Sequence, residues 1–204
     1  MPPASCIVSK TGRLQLITPP EDDSEDNLVA LLRTHPFSRK YLQFFPDKVT
    51  VEEMRDRRVQ RSKESRIRDF HIHTLDDEGH SQFVGITGIF NIDLTHESCE
   101  MGIMVDPDQS GKGVATDALY TLLEWAIEEQ KMHRITFETT VNNAPMRHWL
   151  EKIAGARLEA ERKECWKVEE RKYADVAGYC ILDWEWRERV KVNLQRRLNI
   201  RSAQ

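Results

Sequence analysis

Residues 105–116, Val-Asp-Pro-Asp-Gln-Ser-Gly-Lys-Gly-Val-Ala-Thr, decide the fold. A run of β-forming residues ends at Val105, a glycine-rich turn follows, and from Gly113 apolar residues recur at helical spacing. The first turn of a helix has four N–H groups without intrahelical partners and about half a positive charge, so it attracts anions. Glycines let a phosphate approach the backbone closely, and Lys112 adds a positive charge. The stretch therefore predicts a phosphate-binding turn between a strand and a helix.

This turn matches neither of the two common nucleotide-binding fingerprints. Both Gly-x-x-x-x-Gly-Lys-Ser/Thr and Gly-x-Gly-x-x-Gly are absent from the chain. Taken alone, Gly111-Lys112-Gly113 is equally typical of an ordinary helix entry. The sequence on both sides of the turn has to decide between the two interpretations.

Strands and helices are interleaved on both sides of the turn. The predicted strands are 14–17, 69–75, 82–92, 100–105, 134–140, 158–168 and 179–187, and the predicted helices are 28–35, 51–65, 114–127 and 145–153. Their order, βααβββαβαββ, predicts one α/β (α+β) domain. We expect a mixed, twisted sheet of about seven strands, flanked by about four helices.

The charge distribution argues against nucleic acid as a partner. The 34 acidic and 30 basic residues leave a formal net charge of −4, whereas a nucleic-acid binder usually has a basic excess. Charge is uneven, because residues 21–26 are acidic and the segment from Arg187 onward is basic. Such runs are usually solvated faces or chain ends. We assign residues 1–12 to an N-terminal tail, 13–187 to the domain and 188–204 to a basic C-terminal tail.

Cysteine spacing and apolar runs indicate a cytoplasmic protein without a membrane span. The four cysteines are far apart and form neither a metal-type pair nor a disulfide framework. No apolar run approaches the roughly 18 residues that a bilayer crossing requires. The first residues also lack the basic-then-apolar layout of a secretory signal. We therefore expect a cytoplasmic location.

Two histidines on the predicted hairpin, His71 and His73, share one face of their strand. Alternate residues of a strand point to the same side, and some metal sites use this geometry. The sequence places no third ligand nearby. We therefore expect a structural or surface role for this pair, and no metal.

The phosphate-binding turn resembles that of the GNAT superfamily of acyl-CoA-dependent N-acyltransferases, whose pattern is Arg/Gln-x-x-Gly-x-Gly/Ala. In this register the match runs from Ser110 to Ala115, with Gly113 and Ala115 in the two small-residue positions. Ser110 departs from Arg/Gln, although Gln109 lies beside it. The departure weakens one side-chain contact and leaves the backbone cradle intact.

Two later segments are similar to other parts of the same family. Asn143 and the helix after it resemble a second cofactor motif, Asn-x-x-Ser/Ala, in which Met146 replaces the small residue. Asp175-x-x-x-Tyr179 and Glu185-Trp186 resemble the ending of the subfamily that contains ribosomal-protein N-terminal and spermidine acetyltransferases. With three motifs in the family's order, residues 13–187 are identified as a GNAT-like acetyltransferase domain.

The resemblance implies acetyl-CoA as cosubstrate, in a gap between strand 100–105 and the parallel strand 134–140. Its pyrophosphate would bind N–H groups of the turn, and its pantetheine arm would pair with the edge of strand 100–105. An N–H near Met104 or Val105 would polarise the thioester carbonyl, and such a donor is worth about 3 kcal/mol. The implied cofactor residues are Met104, Val105, Ser110, Gly111, Lys112, Gly113, Val114, Ala115, Thr116, Asn143 and Met146.

Glu100 is the candidate catalytic base. An alkyl amine is protonated near neutral pH and must lose a proton, directly or through water, before it attacks. Glu100 begins the strand that would carry the oxyanion donor, and glutamate is common there in the subfamily that it resembles. A surface ion pair is an equally good explanation for a glutamate at this strand end. Glu97 and His96, in the turn before the strand, are the next candidates for the base. The tyrosine that acts as general acid in many members falls on Leu150, so the acid is unassigned.

The resemblance predicts transfer of an acetyl group from acetyl-CoA to a primary amine by direct attack. The amine is a small molecule or a protein N-terminus, and a homodimer is left open. Two alternatives remain at this point: a catalytically silent CoA-binding sensor or scaffold, and an O-acetyltransferase, because the cofactor cradle is indifferent to the nucleophile.

The resemblance implies that the acceptor wall lies between the first strand and the hairpin. It would contain Phe37, Tyr41, Phe44 and Phe45, together with Arg39 and Lys40. The rings are equally compatible with core packing. As a pocket, an aromatic slot flanked by two cations suits an apolar or carboxylate-bearing amine better than a polycation such as spermidine.

Overall fold

The computed structural model describes residues 6–200, which form an eight-stranded mixed sheet with helices on both faces. The strands are β1 Cys6–Val8, β2 Leu14–Ile17, β3 Arg68–Leu75, β4 Ser81–Asp93, β5 Ser98–Val105, β6 Arg134–Thr140, β7 Arg157–Glu169 and β8 Lys172–Leu182. Their order in the sheet is β1-β2-β3-β4-β5-β6-β8-β7. β5 and β6 pair in parallel, and the other neighbouring strands pair antiparallel. The predicted α/β fold is confirmed, with one strand more than expected.

Besides the single 3-10 turn Pro107–Gln109, six helices lie within the described residues, two more than the sequence predicts. They are α1 Asp26–Thr34, α2 Pro36–Tyr41, α3 Val51–Ser62, α4 Val114–Glu124 with its continuation Trp125–Glu129, α5 Ala144–His148 with its continuation Trp149–Ala154, and α6 Asp183–Glu185 with its continuations Trp186–Val190 and Lys191–Leu198. In residues 6–200, no helix has both the length and the apolar character needed to span a bilayer.

Local signals explain where the first helices begin. Thr50 Oγ1 accepts a hydrogen bond from the Glu53 N–H at 3.1 Å, and the Thr50 N–H donates to Glu53 Oε2 at 2.7 Å, which forms the capping box that starts α3. α1 ends at Thr34, next to the predicted end at residue 35, and Pro36 occupies the first position of α2, where proline is favoured. The sequence does not predict α2, because a proline directly after a helical stretch usually indicates that the helix has ended.

The main core lies between the sheet and the helices α4, α5 and α6. Phe70 and Ile72 of β3 point into it, together with the fully buried Leu119 and Leu122 of α4. A smaller cluster on the opposite face joins α1 and α3 to the sheet through Val29, Ala30, Met54, Phe83 and Ile86. The two faces therefore separate α1–α3 from the large core, and β3 directs His71 and His73 toward the α1–α3 side.

The C-terminal segment is folded, contrary to the expected basic tail at 188–204. β8 ends at Leu182 instead of Arg187, and α6 follows it along α4. Leu194 is fully buried, and Gln195 Nε2 donates to Tyr120 Oη at 3.0 Å. Val190, Leu194 and Leu198 are spaced four residues apart and form an apolar stripe along α6. The basic residues between them give the segment a positive charge, which is why the sequence predicts a basic tail. Residues 201–204 lie outside the described range.

The predicted N-terminal tail, 1–12, also contains part of the sheet. β1 pairs antiparallel with β2, with Ile7 opposite Leu16, and Ile7 packs against the main core. A strand of three residues carries too little periodicity to be recognised in the sequence. Residues 1–5 of the predicted tail lie outside the described range.

Candidate active site

The two parallel strands at the centre of the sheet diverge. β5 and β6 are paired only at Ser98–Arg134, Cys99–Ile135 and Glu100–Thr136. Beyond this point β5 stays on β4 as far as Val105, and β6 stays on β8 as far as Thr140. The strands therefore enclose a wedge that begins at Glu100, and the edges 101–105 and 137–140 that face it form no ladder with each other.

The wedge opens into a cavity of about 1460 Å³. Half of the twelve site residues predicted from the sequence line it, namely Glu100, Met104, Val105, Ala115, Asn143 and Met146. The other six, Ser110, Gly111, Lys112, Gly113, Val114 and Thr116, form the turn before α4 and the first part of that helix. The turn is exposed at residues 110–113 and leads directly into the cavity wall at Ala115.

Backbone geometry makes this turn suitable for an anion. Gly111 and Gly113 have φ of +76° and +82°, a left-handed conformation that glycine adopts at little cost. The first helical hydrogen bond of α4 runs from the Asp117 N–H to the Gly113 carbonyl at 3.0 Å. The N–H groups of residues 114–116 precede that bond and have no acceptor within the helix. These donors and the wedge beside them fit the phosphate and pantetheine parts of a CoA thioester.

Some predicted contacts in the turn are already used within the protein. The Ser110 N–H donates to the Pro107 carbonyl at 2.9 Å. Thr116 is buried, and its Oγ1 accepts a hydrogen bond from Trp149 Nε1 at 3.1 Å. The side chain of Thr116 therefore holds α5 against α4, and only its backbone N–H is available to a ligand.

Arg13, which the sequence analysis did not select, lies beside the phosphate turn. A Cβ atom built on Gly113 would be 4.0 Å from Arg13 Nη2. The same guanidinium pairs with the buried Asp117 at 3.4 Å and is about half exposed, with 56% of its side chain accessible. It provides a cation beside Gly113, in a chain whose Ser110 departs from the Arg/Gln of the family pattern. No local signal could reveal it, because Arg13 and Gly113 are 100 residues apart in the sequence.

Asn143 acts as the N-cap of α5. Its Oδ1 accepts a hydrogen bond from the Met146 N–H at 3.3 Å, and its Nδ2 donates to Thr139 Oγ1 at 2.8 Å. This asparagine is therefore a helix cap, and it also lines the cavity. Met146 is partly buried and packs against the main core while it faces the same cavity.

Glu100 occupies the narrow end of the wedge. Its Oε2 accepts a hydrogen bond from Asn91 Nδ2 at 3.0 Å, and no ion pair to it is found among residues 6–200. Burial and the negative charge of Glu138 raise the pKa of Glu100 above the usual range of a carboxyl group. The alternatives Glu97 and His96 lie in the exposed turn before β5, and neither lines the cavity.

The opposite side of the cavity contains the expected aromatic residues but different cations. Phe37, Tyr41, Phe44 and Phe45 all line it. Arg39 and Lys40 do not line it, which corrects the sequence prediction. The Arg39 guanidinium pairs with Asp47, and the Lys40 ammonium lies over the Tyr41 ring at 5.2 Å. Both cations of α2 are therefore engaged by neighbouring groups of the chain.

The arginines of α1 and α3 that line the cavity there are Arg33, Arg57, Arg58 and Arg61. Arg58 pairs with Asp26 at 2.9 Å. Arg61 is held by Asp69 through two hydrogen bonds of 2.5 and 2.7 Å, whereas neither Arg33 nor Arg57 forms an ion pair within the described chain. The Arg33 guanidinium lies 4.0 Å from the centre of the Phe45 ring, and its Nε has no hydrogen-bond partner there. Burial and the charges of Arg57 and Arg61 lower the pKa of Arg33 to about 10. This wall therefore presents uncompensated positive charge to the cavity.

Comparison with known proteins agrees with this geometry. Residues 13–157 match the family model described as the acetyltransferase (GNAT) domain. The chain belongs to the GNAT acetyltransferases. Members of this family use acetyl-CoA, so this GNAT protein is an acyl-CoA-dependent acetyltransferase, as its sequence predicts.

Its relatives include an uncharacterised N-acetyltransferase of Bacillus subtilis, YnaD. The two are 27% identical over 148 residues, which are 71% of this chain and 82% of YnaD. The spermidine N-acetyltransferase of Vibrio cholerae, solved with CoA and spermine, shares the fold with a TM-score of 0.74 and 20% identity, covering 86% of this chain and 99% of that one. A GCN5-related N-acetyltransferase of Brucella melitensis gives a TM-score of 0.72 and 21% identity, with coverages of 91% and 82%.

Proposed function

We propose that this GNAT protein acetylates a primary amine by direct attack on acetyl-CoA, with Glu100 as the base. The observation that carries the proposal is the position of Glu100 where β5 and β6 part, inside the cavity and without an ion-pair partner in the described chain. Its raised pKa makes it a better proton acceptor than an exposed carboxylate. Asn91 binds one carboxylate oxygen, which leaves the other to accept a proton from the amine or from a bridging water.

The donor end is proposed to act through the backbone. The N–H groups of residues 114–116 would bind the pyrophosphate of acetyl-CoA, with Lys112 and Arg13 as nearby cations. The pantetheine arm would add to the open edge of β5. Consecutive residues of a strand direct their N–H groups to opposite sides, so one of Met104 and Val105 directs its N–H into the wedge. That N–H is the candidate oxyanion donor.

The acceptor is proposed to carry an anionic group beside its amine. Arg33 and Arg57 leave positive charge on the acceptor wall, and the rings of Tyr41 and Phe45 offer apolar surface next to it. A carboxylate would give Arg33 the partner that its guanidinium lacks, and charge-assisted bonds of this kind are worth about 1.5–3 kcal/mol. A polycation would be repelled by the same wall. Amino acids, aromatic amines with a carboxylate and acidic protein N-termini are therefore favoured over polyamines.

The test is a thiol-release assay with acetyl-CoA and a panel of acceptors. The panel contains amino acids, N-terminal peptides, aminosugars and spermidine, and the products are treated with hydroxylamine, which cleaves esters but not amides. We expect hydroxylamine-stable products, and a higher kcat/KM for anionic amines than for spermidine. Spermidine exceeding every other amine tenfold would overturn the acceptor proposal. An ester product would overturn N-acetylation itself.

A further inference from the structure

On the α1–α3 side of the sheet, Glu25 lies between the two histidines of β3. Glu25 directly precedes α1, and its Oε1 is 3.0 Å from His73 Nε2 while its Oε2 contacts His71 Nδ1. One ligand atom from each residue lies within 4.8 Å of the other two. The third ligand that the sequence did not place near His71 and His73 thus comes from a segment 46 residues earlier in the chain.

The cluster is buried and its rings are held in place. The side chains of Glu25, His71 and His73 are only 16%, 7% and 11% exposed. Ser81 Oγ lies 2.7 Å from His73 Nδ1, which directs the Nε2 atom of that ring toward Glu25. The Phe83 ring packs edge-on against both imidazoles, with centroid distances of 5.3 and 5.9 Å. A metal-binding histidine typically has such a partner on its second nitrogen, which fixes the tautomer and the orientation of the ring.

We propose that Glu25, His71 and His73 form a binding site for one divalent transition-metal ion, with Zn²⁺ as the best match. Two imidazoles and one carboxylate suit Zn²⁺, whereas Ca²⁺ and Mg²⁺ prefer ligand sets made of oxygen. In a tetrahedral site with bonds of about 2.0–2.1 Å, the ligand atoms are roughly 3.4 Å from one another. The ligand atoms of Glu25, His71 and His73 lie within 4.8 Å of one another, so small side-chain movements would bring them to this spacing. Water would supply the fourth ligand.

The surrounding charges leave Glu25 available as a ligand. Of the neighbouring acids, Asp26 is paired with Arg58 at 2.9 Å, and Asp23 is paired with Arg55. Arg55 and Arg58 are therefore engaged by these two acids, and within residues 6–200 the ion-pair partners of Glu25 are His71 and His73.

A bound ion would connect the start of α1 to β3 at the edge of the cavity. His71 and Asp26 both line the cavity, and α1 also carries Arg33. The ion would therefore fix the position of the acceptor wall relative to the sheet. The donor end lies on β5 and α4, so we expect the metal to change KM for the acceptor and to leave the affinity for CoA unchanged.

The experiment uses the full chain, stripped with a chelator and titrated with Zn²⁺ by calorimetry and with Co²⁺ by visible absorption. Cys6 and Cys165 are exposed thiols that could compete for Zn²⁺, so both are replaced by serine in every sample. We expect one ion per chain and the absorption of a tetrahedral Co²⁺ site. Glu25→Gln and His73→Gln should each weaken binding at least tenfold, a loss that even an outer partner of a ligand can cause.

His80→Gln is the matched control. His80 is an exposed histidine beside Asp76 and Glu78 on the β3–β4 hairpin, and its replacement should leave the affinity unchanged. Nitrogen NMR of the imidazoles in the serine-substituted protein provides a test that does not depend on how the other variants fold. Zn²⁺ should shift the resonances of His71 and His73 and leave the other five histidines unchanged. Absence of saturable binding, or shifts confined to other histidines, would overturn the proposal.

Discussion

The proposed donor end and the proposed acceptor end of the cavity are built from different parts of the polypeptide. At the donor end the functional groups belong to the backbone: two left-handed glycines, the free N–H groups at the start of α4 and the open edges of β5 and β6. At the acceptor end they are side chains of α1, α2 and α3, such as Arg33, Tyr41 and Arg57. A short local motif can specify the first kind of site. The second kind depends on how separate helices pack, so one scaffold can keep its acyl donor and change its acceptor.

The largest expected effect is at Glu100, where the two ends meet. Glu100→Gln keeps the shape and the contact with Asn91 but removes the base, so kcat should fall about 10²- to 10⁴-fold while the Kd of acetyl-CoA is unchanged. Steady-state kinetics and calorimetry separate the two quantities. Glu97→Gln, in the exposed turn nearby, is the control and should be close to wild type. A large loss of kcat in Glu97→Gln, with little loss in Glu100→Gln, would indicate that the base is Glu97 and not Glu100.

The second prediction tests the backbone character of the donor end. Gly113→Val places a branched side chain at a left-handed position beside the anion donors, and CoA affinity should fall roughly 100-fold, as for two lost contacts of about 1.5 kcal/mol each. Gly79→Val is the matched control, because Gly79 has φ of +83° in a hairpin far from the cavity. Both variants should lose stability through backbone strain. Calorimetry with CoA should show loss of affinity only in Gly113→Val, and normal binding there would place the phosphate site elsewhere.

The third prediction tests the side-chain character of the acceptor end. Arg33→Gln removes one charge from the wall, so KM for a carboxylate-bearing amine should rise about tenfold, the lower limit of a charge-assisted contact. The affinity for CoA should stay unchanged. Arg39→Gln, whose guanidinium pairs with Asp47 away from the cavity, should leave both constants at their wild-type values. Equal effects of the two substitutions on KM would show that the overall positive charge of this region, and not direct contact with Arg33, selects the acceptor.

The smallest effect concerns stability. Burial and Glu138 raise the pKa of Glu100 in the folded state, so ionisation of this group destabilises the fold above the unfolded pKa of about 4.3. Glu100→Gln should therefore unfold at a higher temperature than wild type at about pH 8. The difference should shrink as the pH falls through about 4 toward about 3, where the wild-type carboxyl is protonated in both states. Thermal melts across this range measure it, and a less stable variant at high pH would contradict the raised pKa.

The sequence predicts the parts of this molecule that depend on neighbouring residues. The phosphate turn, the capping box at Thr50 and the pairing of β3 with β4 all follow from local patterns, and the aromatic side of the cavity was found in the same way. Arg13 beside Gly113 and Glu25 beside His71 required the tertiary fold, because each contact joins distant segments. The sequence does not predict the helix α6, for a different reason. The many basic side chains of this segment indicate a solvated tail, although Val190, Leu194 and Leu198 recur at helical spacing.

The sheet order also has a consequence for biosynthesis. β8 lies between β6 and β7, so the strand that completes one side of the wedge is made last. A ribosome that adds about 5–20 residues per second takes roughly 2–8 s to travel from Thr140 to Leu182. During that interval β8 has not yet been made. The edge of β6 that β8 covers in the native sheet, which includes Ile135 and Phe137, is therefore without its partner strand. The emerging polypeptide is therefore exposed to edge-to-edge aggregation in this interval, and slower translation of residues 141–182 would lengthen it.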